Sequence, residues 1–270
     1  MRILLLCLIV CLWVSPVGAT DWCASAAGCW LYKEGSGTQV ADDSPNTNTG
    51  NFLGDGEPAW VGSVTGTNAP AYATDSVNSD GTNDYVDYGT GLDNLSPFSF
   101  VGWVELDAAT NSDFIYASTG TIGGGGPQAM KMWFPSTRDL TFIILNTGSS
   151  DYVQAACVDC VDHLANSWNH IAVTWDGTTS GSHTYIYVGG TDVTNSRSSS
   201  GGTRRDDAAY YKGMSDDIDG RYTENAIFGE VLDGTDINEI MDFGLQPALV
   251  SSVCQGTCIY SATIHNATFN

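Results

Sequence analysis

Trp168-Asn-His-Ile-Ala-Val-Thr-Trp175 carries apolar residues at every second position, with Ile171, Val173 and Trp175 on one side. That period belongs to a strand, because successive side chains of an extended chain point to opposite faces. Asp176-Gly177 ends the run with a turn signal, and Thr184-Tyr-Ile-Tyr-Val188 follows after a Thr/Ser/Gly-rich link. Upstream, Phe98-Ser-Phe-Val-Gly-Trp-Val104 places Phe98, Phe100 and Val104 on one face. Tyr85-Val-Asp-Tyr88 follows the turn Asp80-Gly-Thr-Asn83, and Asp113-Phe-Ile-Tyr-Ala117 is a shorter run. Leu140-Thr-Phe-Ile-Ile-Leu145 is nearly all apolar, as expected of a strand covered on both faces. Strand signals at this density predict antiparallel sheets packed face to face.

One stretch reads as a helix, Asp236-Ile-Asn-Glu-Ile-Met-Asp-Phe243. Thr235 or Asp236 can cap it, Gly244 can stop it, and Ile237, Ile240 and Met241 give it an apolar face. A single short helix on an otherwise all-β chain argues against α/β-hydrolase and Rossmann architectures. Three segments read as loops: 42–51, 119–127 with its run Gly123–Gly126, and 195–207, the last a candidate for proteolysis. No repeat of fixed period is visible, which leaves solenoids and propellers unsupported.

Composition fits this reading. The 270 residues hold 31 Asp plus Glu against 9 Lys plus Arg, a net charge of −22. Such a surface repels phosphate backbones and anionic lipid, so nucleic acid and membrane surfaces are not expected partners. Charged residues make up only 15%, so polarity rests on neutral turn-forming residues, including 31 Gly. Hydrophobic residues at 42% exclude a disordered chain.

Residues 1–19 read as a secretory leader: Arg2, an apolar run Ile3–Val14, Pro16, then Val17-Gly-Ala19 at a cleavage site. The run is shorter than the roughly 20 residues a membrane span needs. Without Arg2 the mature chain carries 31 acids and 8 bases, a net −23. Six cysteines remain as three close couples: Cys23 with Cys29, Cys157 with Cys160, and Cys254 with Cys258. An even number in an exported chain argues disulfides, with local pairing the simplest arrangement. His163, three residues after Cys160, keeps a zinc alternative open. Asn94-Leu-Ser96 and Asn266-Ala-Thr268 are glycosylation sequons. The organisation expected is a leader (1–19), one domain (20–248) and a disulfide-containing tail (249–270).

Four ordered stretches resemble the laminin-G-like group of concanavalin A-like jelly rolls. They are Trp30-Leu-Tyr-Lys-Glu-Gly-Ser-Gly-Thr38; Asp80-Gly-Thr-Asn-Asp-Tyr-Val-Asp-Tyr-Gly89 leading into Pro97–Val104; Trp168–Gly177 with Tyr185–Gly190; and Asp219–Phe228 with Leu232 and 236–244. The third is also similar to the pentraxin signature, with Ala172 where pentraxins carry Cys. The resemblance implies an all-β, two-sheet antiparallel jelly-roll sandwich with one short helix near its C-terminal end. It makes Trp103, Trp168 and Trp175 core residues first.

The superfold carries glycosidases, but fold alone does not decide function. Retaining glycosidases of this fold place three carboxylates on one strand as E-x-D-x(-x)-E. Here Glu105-Leu-Asp107 supplies two members and lacks the third, and it aligns with the end of a non-catalytic strand. There is no G-x-S-x-G, no phosphate loop at Gly123–Gly126 and no H-E-x-x-H. No catalytic residue is expected. The resemblance implies a structural calcium, since many relatives hold one that ties the first and last strands; Asp42, Asp43, Asp219 and Glu224 are the candidate oxygen donors, and the alternative is that they are solvated surface acids.

The expected function is a secreted, non-catalytic recognition or adhesion module for glycan or an extracellular protein. Trp60, Trp133, Tyr152, Tyr210 and Tyr211 are its candidate contacts, since sugar faces stack on flat rings. The alternative is a structural subunit. Residues 259–269 alternate like a strand and could add to a neighbour's sheet edge.

Overall fold

The structure is a computed structural model that describes residues 20–54, 58–82, 84–107, 114–120, 127–136, 139–147, 151–160, 166–216 and 218–246. The leader, His163, Asn266 and the tail 249–270 lie outside the described residues. The disulfide expected between Cys254 and Cys258 falls in that tail, so it too lies outside them, as does the strand expected at 259–269.

The two longest alternating runs become neighbouring strands, β7 (Phe98–Leu106) and β12 (Trp168–Trp175), antiparallel with Ile171 opposite Gly102. They are the centre of sheet A. Beyond β12 lie β13 (Thr184–Val188) and β14 (Thr191–Asp192). On the other side come β17 (Asp219–Phe228), β5 (Asp75–Asp80) and β4 (Ala59–Gly62), and β1 (Gly28–Trp30) also pairs with β17. Sheet B runs in the order β15 (Ser196–Ser199), β11 (Tyr152–Cys157), β10 (Asp139–Leu145), β9 (Gln128–Ser136), β8 (Phe114–Thr119), then β16 (Tyr211–Asp216), β6 (Tyr85–Asp87), β3 (Gly50–Leu53) and β2 (Gln39–Val40). All pairings between these strands are antiparallel, as a jelly-roll sandwich requires.

The inner faces meet in one apolar cluster. Phe98, Phe100 and Val104 of sheet A join Met132, Phe134, Phe142 and Ile144 of sheet B. Trp30 stacks on Tyr88 with ring centroids 3.6 Å apart, and both are buried. The Tyr32 hydroxyl lies 2.9 Å from that of Tyr88 and accepts a hydrogen bond from Asn225 Nδ2, so these polar tips are satisfied inside the core. Disulfides join Cys23 to Cys29 and Cys157 to Cys160, two of the three local pairings expected.

The outer faces of the two sheets differ. Helix α1 (Gly234–Phe243) lays Ile237 and Ile240 on Val101, Ala172, Ala226 and Phe228 of sheet A. Its cap is Asp233, two residues before the expected Thr235, with Asp236 completing a reciprocal capping box. Loop 63–74 covers the rest. Thr65 and Thr67 carbonyls accept from the Trp168 indole and backbone, and the Tyr72 hydroxyl binds the Trp103 indole and the Met241 carbonyl. With both faces covered, every residue of β7 and β12 is buried. The strand expected to be doubly covered, Leu140–Leu145, is covered unevenly: on its outer face Thr141 is buried, while Ile143 and Leu145 are only partly buried.

Candidate functional site

Sheet B presents the face that neither α1 nor loop 63–74 covers. Phe52, Val86, Met214, Tyr116, Met132, Phe142 and Val153 point into the core, so alternate residues point outward. The register aligns them in a row. Asp87 of β6 lies opposite Gly213 of β16, Gly213 opposite Ala117 of β8, and Ala117 opposite Lys131 of β9. Ile143 and Gln154 extend the row on one side, Asn51 and Gln39 on the other. The two small residues make a low floor between an acid and a base. Three strand spacings separate Asp87 from Lys131, about 14 Å. Gly213 is required there: a Cβ would sit 2.9 Å from the Val86 carbonyl oxygen.

Aromatic rings stand on both banks of this row. The register puts Trp133 and Tyr85 on one bank, Tyr211 and Tyr152 on the other. Tyr211 is 37% exposed, an unusual state for a large ring. The Lys131 ammonium lies 4.1 Å from the centre of the Trp133 ring, and partial burial lowers its pKa. Asp87 accepts a hydrogen bond from the Gly89 backbone at 2.8 Å, and burial raises its pKa. The face thus offers flat rings, one acceptor, one donor and neutral amides, a set suited to polyhydroxylated ligands.

Three of the five aromatic candidates, Trp133, Tyr152 and Tyr211, share this face. Trp60 does not: its indole donates to the Gly37 carbonyl and its ring packs on Tyr32 and Phe52 at the core margin. Tyr210 sits in a turn where its carbonyl accepts from the buried Lys212 ammonium. Sequence reading missed Asp87, Ala117, Lys131 and Gly213 as site residues. The signal for β9 was present in Ala129-Met-Lys-Met-Trp-Phe134, whose inward members are Met130, Met132 and Phe134.

The four metal candidates do not form one coordination sphere. Asp42 spends both carboxylate oxygens on the backbone N–H groups of Cys29, Ser44 and Asn48, stapling its loop. Asp43 pairs with Lys33 at 2.5 Å. Glu224 is buried beside Asp43 and accepts from the Leu245 backbone; burial, then Asp43, push its pKa up to about 7. Asp219 lies five residues along β17 from Glu224, about 16 Å at strand rise. Asn94 is exposed, and its amide is tied to Arg204, Asp206 and Asp207.

Glu105, the nearest match to a catalytic strand, faces the covered side of sheet A. It is locked to Arg221, whose Nε donates to Oε2 at 2.6 Å, and Arg221 also lies over the Trp168 ring.

A family model described as the concanavalin A-like lectin/glucanases superfamily matches residues 80–238, more than half of the chain. No curated protein matches. Among solved structures, domain 4 of AbnA, a GH43 extracellular arabinanase from Geobacillus stearothermophilus in complex with arabinotriose, shows a TM-score of 0.58 at 13% identity over 81% of this chain and 98% of its own. The botulinum neurotoxin serotype D ligand binding domain in complex with N-acetylneuraminic acid gives 0.57 at 13% identity, over 83% of this chain and 52% of its own. The binding domain of Paraclostridial Mosquitocidal Protein 1 gives 0.57 at 11% identity, over 82% and 52%. The chain therefore spans about half the length of the toxin domains it matches. At these identities the likeness establishes the fold.

Proposed function

Because the chain belongs to the concanavalin A-like lectin/glucanases superfamily, we propose that it is a secreted, non-catalytic module that binds glycan across the outer face of sheet B. The observation that carries this reading is the row of Asp87, Gly213, Ala117 and Lys131, whose floor is 9% exposed at Asp87 and 7% at Ala117, with Trp133 and Tyr211 on opposite banks. A sugar ring lies over the two small residues, its apolar face against an indole or phenol and its hydroxyls toward the acid and the ammonium. Similar folds that hold arabinotriose or N-acetylneuraminic acid support a glycan as the ligand. Two disulfides among the described residues fit an extracellular address.

A glycosidase reading has little support. Hydrolysis needs two carboxyl groups about 5–9.5 Å apart across the scissile bond. In the central row of sheet B, among the described residues, Asp87 is the one carboxylate.

A glycan array probed with the full secreted chain, in calcium and in chelator, tests ligand class and metal dependence together. Trp133→Ala is expected to weaken the best hit about tenfold, or 1.4 kcal/mol. Glu105→Gln is expected to leave it unchanged. An array without hits, or binding indifferent to Trp133→Ala, Lys131→Ala and Tyr211→Ala alike, removes the proposal.

A further inference from the structure

At the side of the sandwich, β15 and the short turn Gly181–His183 border a shallow, solvent-open cleft of about 440 Å³. That volume lies within the range of small-molecule sites. Its lining is Ser180, Gly181, Ser182, Arg197, Ser198 and Ser199. Among the described residues, hydroxyls and one guanidinium line it, in a chain of net charge −22. The turn approaches β15 so closely that a Cβ at Gly181 would lie 2.9 Å from the Ser198 carbonyl oxygen.

Arg197 is held in place without being used up. Its Nε donates to the Thr184 carbonyl at 2.8 Å, and its guanidinium lies 4.6 Å from the centre of the Tyr185 ring. Asp192 forms an ion pair with it at 3.8 Å, 42% exposed and beyond hydrogen-bond reach. The two terminal nitrogens therefore retain their donors, fixed by a stacked ring and a carbonyl. A planar fork so held suits a carboxylate or sulfate oxygen pair. Ser180 and Ser182 hydroxyls, 2.8 Å apart, can turn toward neighbouring ligand hydroxyls.

We propose that this cleft is a second site, separate from the outer face of sheet B, that binds an acidic sugar through Arg197 and the surrounding serines. It does not depend on the sheet B reading, because the two sites share no residue named in the tests.

Calorimetric titration of the full secreted chain with sodium glucuronate, glucose and sodium sulfate tests the proposal. Glucuronate is expected to bind at least tenfold tighter than glucose and than sulfate. Arg197→Gln and the cleft-filling Ser182→Trp should each lower glucuronate affinity at least tenfold, while Trp133→Ala leaves it unchanged. Ser182 is exposed on the turn, so its variant reports even where loss of Arg197 impairs folding. Equal affinity for glucuronate and glucose overturns the proposal, as does sulfate matching glucuronate. Glucuronate binding that survives Ser182→Trp does so as well.

Discussion

His170 is 1% exposed, faces the Trp103 ring at 5.3 Å, and neither ring nitrogen finds a hydrogen-bond partner among the described residues. Burial pushes its pKa down to about 3. The unfolded chain takes up this proton near pH 6.5, whereas the folded chain refuses it until about pH 3. The native state therefore loses stability from this residue as pH falls from 6.5 toward 3, and is unaffected above 6.5. The loss amounts to about 3–5 kcal/mol at completion. Urea titrations from pH 7 to 3.5 should show a shallower decline for His170→Gln than for the wild type; parallel declines would refute this. The sequence placed His170 in a strand. It gave no hint that loop 63–74, which shows no periodicity, would bind Trp103, the ring that His170 faces, through the Tyr72 hydroxyl.

At the scale of elements, α1 decides which sheet face is available. Asp233 accepts from the Thr235 and Asp236 backbones, and Asp236 answers the Asp233 backbone at 2.9 Å. Asp233→Ala removes the two bonds that the Thr235 and Asp236 backbones make to its carboxylate and should destabilise the helix, while the residue-233 N–H keeps its bond to Asp236. Hydrogen exchange should then rise first in α1 and in the residues of β7 beneath it; uniform loss of protection would show that the helix is not a separate unit. The helix was legible because its apolar residues keep one face. Strands β7 and β12 were legible because alternation survives on the core side. By contrast, β15 read as a loop, since Ser196–Ser199 is exposed on both sides and leaves no hydrophobic period to detect. Strand β9 was overlooked because Lys131 and Pro135 interrupt an otherwise apolar run. So three rings of this face were nominated from their loop-like or strand-end places in the sequence, while the small residues between them needed the cross-strand register.

For the whole molecule, charge is the first lever. A net −22 on 270 residues repels itself, and salt screens that repulsion. Raising sodium chloride from about 10 to about 500 mM should lift the thermal midpoint by a few degrees; a fall would mean that ion pairs such as Arg221–Glu105 outweigh the repulsion. The jelly-roll class was legible from strand density and ordered motifs. The difference between the two outer faces was not, because it depends on where a loop and a helix come to rest. The borders of the sheets carry a further consequence. Among the described residues, sheet A ends in β14 (two residues) and β4 (four), and sheet B in β2 (two) and β15 (four). Gly181 closes against the β15 backbone as well. Such stubs give an incoming peptide hardly any ladder to zip onto. Sedimentation at millimolar concentration should return a single monomeric species, and a polymer would have to be joined elsewhere than at these four edges.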